Sequence, residues 1–375
     1  MKIFIFLYLI LLCSCTVREQ GLLTIEGEVK GLEEGIVRLY TYPPSNLLLD
    51  SCEIKAGKYS LKSKLDAPQL GLLAFEITPT PQRAYVPMIN LFLSPSDMKI
   101  VCDVDDVKGT LKVEGNSLHD EYLVSERFLK NLQEYQQASR LSDQIQLAFA
   151  KADMATVRSL TPMRDSLYLY MLDRLFEWKT DATISAVVAY WVSHFSGPLS
   201  GRQIKQLAER FDTCFQSSYY VSQLKEYAMH DQRLQPGMAF PDFKAFDQDG
   251  KQYSLSDFEG KYLFIEFSAS WCSWCKKELP FIQKAYKQLK DENITFLTIM
   301  MDTEREAWLH DVKKETITWL CLSDLKGMKE SPMVDAYNLR GLPDSFVIDP
   351  QGRIIRRDLR GDEVVSILRD LLSKD

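Results

Sequence analysis

Tyr262-Leu263-Phe264-Ile265-Glu266-Phe267-Ser268-Ala269-Ser270-Trp271-Cys272-Ser273-Trp274-Cys275-Lys276-Lys277-Glu278-Leu279-Pro280 is the stretch on which the reading of this chain turns. Its first six residues are apolar apart from Glu266, the composition of a strand buried on both faces. Beyond the two cysteines, Leu279, Ile282, Tyr286 and Leu289 recur at helical spacing, so a helix is expected to begin at or just after the pair. Ile294 to Met301 then supplies a second apolar strand. The order continues helix, strand, helix, and runs through Asp344-Ser345-Phe346-Val347-Ile348-Asp349 and a turn at Pro350-Gln351-Gly352. A strand at Arg353-Ile354-Ile355 and a terminal helix from Asp362 close the chain. Alternation of this kind predicts an α/β fold over residues 235–375, a sheet with helices on both faces.

Upstream the pattern changes twice. Between Leu22 and Glu114, runs such as Leu23-Thr24-Ile25-Glu26-Gly27-Glu28-Val29 alternate apolar with polar residues and are separated by Gly, Pro, Asn and Asp. Residues 16–116 are therefore expected to form a small antiparallel β domain, with a hairpin turning at Gly57 and a strand ending at Pro95. From 117 to 234 the spacing is helical: Tyr168, Met171, Leu172 and Leu175 fall on one stripe, read as the core of a helical region. A length of 375 residues agrees with such a division, given roughly 150 residues per domain.

Residues 1–15 carry an address. Lys2 precedes the apolar run Ile3 to Leu12, too short for a bilayer core of about 30 Å but suited to a signal peptide. Leu12-Cys13-Ser14-Cys15 resembles a bacterial lipobox, in which Cys15 becomes the lipidated first residue of the mature chain. The resemblance implies export and a lipid anchor to a membrane, the protein facing the periplasm in the cell envelope. The net charge of −7, without a basic stripe, excludes nucleic acid as an expected partner.

The eight cysteines are sorted in that oxidising setting. Cys13 leaves with the signal and Cys15 takes lipid. Cys321 lies in an apolar run and is read as an inert core thiol. Cys52 and Cys102 share the β-rich region, where spacing alone leaves a bridge open. His119, His194, His230 and His310 are scattered and share no metal-ligand spacing with a cysteine, so neither metal nor cofactor is expected.

Cys214 does not enter the mechanism either, and Cys272 and Cys275 form the close pair, one helical turn apart. At a helix start, Cys272 would meet free N–H donors and the positive end of the helix dipole, both of which stabilise a thiolate; it is the expected nucleophile. Cys275, one turn in, is expected to be shielded and to need a base when it resolves a mixed disulfide. Glu266, a carboxylate in an apolar strand, would have its pKa raised toward neutrality by desolvation and could serve that step.

With these residues in place the segment from Gln235 to Asp375 resembles the membrane-tethered thioredoxin-like proteins of the TlpA/ResA kind. The match lies in Trp271-Cys272-Ser273-Trp274-Cys275-Lys276-Lys277-Glu278-Leu279-Pro280, in Gly341-Leu342-Pro343 and in Phe346-Val347-Ile348-Asp349. The resemblance implies a redox-active Cys272–Cys275 disulfide, Glu266 assisting the buried cysteine and Glu278 adjusting the site's pKa values. It also implies a cis-proline at Pro343 that leaves Leu342 open to a substrate strand. Trp271 and Trp274 join Leu342 and Pro343 on the expected substrate-facing surface, Trp274 either meeting a partner or packing on the tip. The β-rich region looks like the small domain of unknown function that precedes thioredoxin domains in some Gram-negative lipoproteins.

The function expected is thiol-disulfide exchange with exported proteins, supplied by a membrane or periplasmic redox partner. Ser273-Trp274 between the cysteines leaves oxidase and isomerase open beside the reductase reading. A thiol peroxidase would want Thr or Ser where Ala269 stands and Pro where Ile265 stands. The contrasting possibility is an envelope binding lipoprotein whose thioredoxin fold is inert.

Overall fold

The computed structural model describes residues 21–42, 47–76, 87–151, 153–197 and 199–373. The 1–15 signal, with Cys15, lies outside the described residues. The amino-terminal strands are β1 (Gly21–Lys30), β2 (Glu34–Thr41), β3 (Leu48–Lys55), β4 (Lys58–Leu65), β5 (Gln69–Glu76), β6 (Met88–Leu93), β7 (Asp97–Asp103) and β8 (Lys112–Glu114). They form one sheet in the order β6-β5-β2-β3-β4-β1-β7-β8. Alternate residues are buried, as the sequence alternation requires: Leu23 and Ile25 of β1 meet Leu61 and Leu65 of β4 in one apolar core. The hairpin between β3 and β4 turns on Ala56 (φ 50°) and Gly57 (φ 73°), the left-handed pair that a two-residue turn demands. One pair departs from the antiparallel expectation: β1 runs parallel to β7, from Thr24 opposite Asp97 to Lys30 opposite Asp103. The chain between them is long enough to return on the same side, something no local alternation reveals.

Cys52 and Cys102 are free thiols. The helices of the middle are α1 (Val107–Thr110), α2 (Ser117–Asn131), α3 (Gln133–Ala150), α4 (Met154–Trp178), α5 (Ala186–Phe195), α6 (Gly201–Ala208) and α7 (Tyr219–Arg233). Asn116 sets the start of α2 by accepting from the backbone N–H groups of Leu118 and His119. His119 is wholly buried and its Nδ1 accepts from the Phe92 N–H, a structural use. Met171, Leu172 and Leu175 are fully buried, the stripe read from their spacing.

The chain forms two compact units. The first gathers the described residues of Met1–Gln136, Tyr168–Ser196 and Leu207–Gln223; the second gathers those of Gln137–Leu167, Gly197–Gln206 and Leu224–Asp375. The helical stretch is thus shared between them.

Within the second unit, β9 (Ala245–Phe246) and β10 (Gln252–Tyr253) form a small ribbon, followed by β11 (Tyr262–Ser268), α8 (Ser273–Leu289), β12 (Ile294–Met300) and α9 (Arg305–Lys314). Then come β13 (Leu320–Leu322), α10 (Gly327–Glu330), α11 (Pro332–Ala336), β14 (Asp344–Ile348), β15 (Ile354–Arg357) and α12 (Glu363–Leu372). The sheet order is β13-β12-β11-β14-β15; β11, β12 and β13 are parallel and β14 is antiparallel to β11. Every residue of β11 and β14 is buried, in keeping with a sheet covered on both faces. Leu263, Ile265 and Phe267 pack with Phe346 and Tyr337 on one face. Tyr262 and Phe264 pack with Leu279 and Ile282 of α8 and Val364 and Leu368 of α12 on the other. This is the α/β architecture expected for the carboxy-terminal part, preceded by a β-rich region and helices. No helix among the described residues is long and apolar enough to cross a membrane.

Candidate active site

The loop from β11 to α8 is tied where it leaves the strand. Met301 N–H donates to Ser268 at 2.7 Å, and the buried Asp302 carboxylate accepts from the Ser270 backbone N–H and hydroxyl. That anchoring delivers Cys272 to the N-cap of α8, where its Sγ accepts the Cys275 N–H at 3.0 Å. A sulfur so placed takes one of the free donors at a helix start, the arrangement that favours negative charge on it. Cys272 and Cys275 are joined, with S–S 2.03 Å and Cα atoms 5.3 Å apart.

In the joined pair Cys272 is 5% exposed, little more than Cys275 at 3%. Both pack with Ala269 and Leu342, and bonding to Cys275 holds the outer sulfur against the helix end. The apolar exposure around the pair is carried instead by Trp271, 62% exposed, and Trp274, 37% exposed. Trp274 stacks on Phe149 of α3, while Lys277 places its ammonium 4.0 Å from the Phe149 ring centroid and donates to the Phe149 carbonyl. Ile145, Ala148, Phe149, Met154 and Val157 pack there with Phe281 of α8.

A polar row crosses the otherwise apolar sheet. Register places Cys321 of β13 beside Thr298 of β12, Thr298 beside Glu266 of β11, and Glu266 beside Ser345 of β14. Residues paired in register share a face, and alternation puts this row on the face of Phe264, which packs under α8. Glu266 is 3% exposed, and its Oε1 has no hydrogen-bond partner among the described residues. Burial pushes its pKa up to about 8, with the positive charge of Arg360 opposing and the negative charge of Glu278 assisting. Cys321 is buried and its thiol pushed up to about 12 by burial and then by Glu266, so it stays protonated at neutral pH.

Glu278, which could equally have been a solvated helix-face charge, is buried on α8. Its Oε2 accepts the Gly361 N–H at 2.7 Å. Burial raises its pKa, against that hydrogen bond and the charges of Arg360 and Arg158. The Leu342–Pro343 bond is cis, and the Pro343 carbonyl accepts from the Arg360 guanidinium. Arg360 and Arg158 were invisible to sequence reasoning: neither lies in a motif, and Arg158 is about two hundred residues from its neighbours at 360 and 361. A weak signal existed in Gly361, whose φ of 57° and lack of a Cβ leave room for the Arg158 guanidinium. Among the described residues no group of three or more His, Cys, Asp or Glu is placed to hold a metal ion.

Residues 236–357 match the AhpC/TSA family. Within them lie the β11–α8 junction, the disulfide and the buried carboxylates. The carboxy-terminal domain is a thioredoxin-like thiol-disulfide oxidoreductase. Its relatives include Thiol-disulfide oxidoreductase ResA of Bacillus thuringiensis subsp. konkukian, 28% identical over 148 residues, 40% of this chain and 83% of that protein. ResA of Bacillus subtilis is 27% identical over 140 residues, 37% of this chain and 75% of that protein. A solved thiol-disulfide oxidoreductase from Bacteroides fragilis is 33% identical and aligns with 36% of this chain and 99% of its own, with a TM-score of 0.33. Upstream of the oxidoreductase domain, residues 23–122 match a domain of unknown function, DUF4369.

Proposed function

We propose that this protein is a lipid-anchored reductase of the cell envelope, exchanging its Cys272–Cys275 dithiol with disulfides of exported proteins. The observation that carries the reading is the disulfide at the N-cap of α8, the helix that covers the sheet face holding the buried Glu266. In the forward reaction the Cys272 thiolate attacks a substrate disulfide, forming a mixed disulfide and releasing one substrate thiolate. Glu266 takes the Cys275 proton, the Cys275 thiolate attacks the Cys272 sulfur, and the second substrate thiolate leaves. Two electrons pass to the substrate, and an external dithiol partner restores them. Glu278, buried on the same helix as Cys275, biases the proton on Glu266. Trp271, Trp274 and Leu342, with Pro343, form the surface that a substrate chain meets. Cys15 holds the mature protein to the membrane, and the β-rich and helical regions follow it in sequence before the active domain.

The deciding experiment is trapping. Cys275→Ser leaves Cys272 unable to resolve, so mixed disulfides with exported proteins should accumulate through Cys272 and dissolve in reductant. Their absence, with no reduction of a disulfide substrate by the wild-type protein supplied with a dithiol, would instead mark an inert fold with a binding role.

A further inference from the structure

A single dipeptide, Arg360-Gly361, reaches both the cis-proline loop and the buried carboxylates. The Arg360 guanidinium donates to the Pro343 carbonyl, to the Leu359 carbonyl at 3.1 Å and to Ser345 Oγ at 3.4 Å, and pairs with Asp358. The next residue gives its N–H to Glu278. Ser345 is the register partner of Glu266, so Arg360 stands at the end of the polar row that runs across the sheet. We propose that Arg360 is a positioning residue that couples the substrate-facing Pro343 loop to the protonation of Glu266 and Glu278. The proposal rests on the reading of Glu266 as the proton acceptor for Cys275.

The physical basis is a cation in a site where screening by water is weak. Arg360 is about one-fifth exposed, and its charge favours the ionised form of both carboxyls while burial disfavours it. Among the described residues, the other groups that act on this pair from the packed elements are Arg158 of α4 and Asp358 beside β15, with Cys321 of β13 beside Glu266. Arg158 adds positive charge and Asp358 negative charge; Cys321 is neutral. Arg360 is thus the cation bonded to the loop and charged toward both acids. A shift of the Pro343 loop, as when a substrate strand docks, would move the guanidinium and with it the readiness of Glu266 to accept a proton. A guanidinium suits this because its fork makes several fixed bonds at once, whereas an ammonium supplies only the charge.

The test uses the full chain in its oxidised state, with carboxyl carbon NMR following Glu266 and Glu278 through a pH titration. In Arg360→Gln the Glu266 midpoint should move up from about 8 by about one pH unit, and disulfide reduction at pH 7 should slow about tenfold. Arg360→Lys should hold the midpoint within about 0.3 unit but raise KM about threefold to tenfold, because the charge stays and the fork to Pro343 is lost. A midpoint unmoved in Arg360→Gln overturns the proposal. So does a Lys variant whose midpoint is displaced while its KM is unchanged, which also carries the test should Arg360→Gln not fold. If the midpoint moves in Arg360→Gln but the pH dependence of exchange does not follow it, the coupling stands and the role of Glu266 in exchange fails.

Discussion

The two sheets each bury a polar atom that has no hydrogen-bond partner among the described residues, Tyr59 Oη in the eight-stranded sheet and Glu266 Oε1 in the five-stranded one. Their surroundings differ. The Tyr59 ring covers Gly27, its cross-strand partner, packs edge-on against Phe75 and lies among core residues with Cys52 and Cys102 nearby. Glu266 lies in a row of polar residues on the sheet face that α8 covers, with Arg360 and Glu278 in its field. Desolvation acts on both in the same direction, favouring the protonated form. A phenol is thereby driven further above neutrality and becomes inert. A carboxyl is brought from 4.5 to about 8, where it exchanges a proton within reach of ordinary pH.

The largest test of this contrast concerns the thiols that the two sheets hold. Cys272→Ser should abolish disulfide reduction, a loss of at least about 10³-fold measured as turnover of a disulfide substrate with a dithiol donor. Cys102→Ser, which alters a buried thiol of the eight-stranded core, should leave that turnover unchanged. Thiols in both regions are buried. The difference is the helix start, which only Cys272 occupies among the two.

Next in size is the carboxylate. Glu266→Gln should slow reduction about 10²-fold at neutral pH, the usual weight of one general base, and should remove the rise in rate as pH passes through about 8. Stability should respond with the opposite sense. The folded chain keeps the Glu266 proton up to about pH 8, while the unfolded chain releases it near 4.5, so the folded form binds more protons in between. Wild-type stability should therefore fall as pH rises across that window, and Glu266→Gln should lack this component. Denaturant unfolding at pH 5 and pH 8 measures it; the two proteins should diverge by a few kcal/mol at most over the window, on the order set by the shift.

How much of this was legible in the sequence follows from the range over which each feature is determined. The apolar run Tyr262–Phe267, the helix after Cys272 and the burial of Glu266 are consequences of neighbours within a few residues, and periodicity displays them. The β3–β4 hairpin is likewise local, since Gly57 supplies its own turn geometry. The parallel pairing of β1 with β7 and the joining of Arg158 to Gly361 depend on segments far apart in sequence, and alternation is silent about them. Glu278 sits in the second turn of α8, and what compensates its burial, the Gly361 N–H with the charges of Arg360 and Arg158, comes from segments far away in sequence. Helix position likewise predicts the donors the Cys272 sulfur meets, but not the Leu342 packed against it.

The smallest expected effect sharpens the comparison most, because it asks whether an orphaned buried group carries function at all. Tyr59→Phe removes a hydroxyl that is buried without a partner among the described residues, and the ring that packs against Phe75 and over Gly27 remains. An unsatisfied hydroxyl pays desolvation with no hydrogen bond in return, so its removal should be neutral or stabilising by up to about 1 kcal/mol, read from the unfolding midpoint. Disulfide reduction and its pH dependence should not change. Set beside Glu266→Gln, where activity is lost and the slope of stability with pH disappears, that outcome would show that burial becomes chemistry only where the group's ordinary pKa lies a few units below neutrality and a reacting thiol stands nearby. A destabilisation above about 1 kcal/mol in Tyr59→Phe would instead show that the Tyr59 hydroxyl has a partner in solution, and the two sheets would then differ in satisfaction of their buried groups as well as in their use.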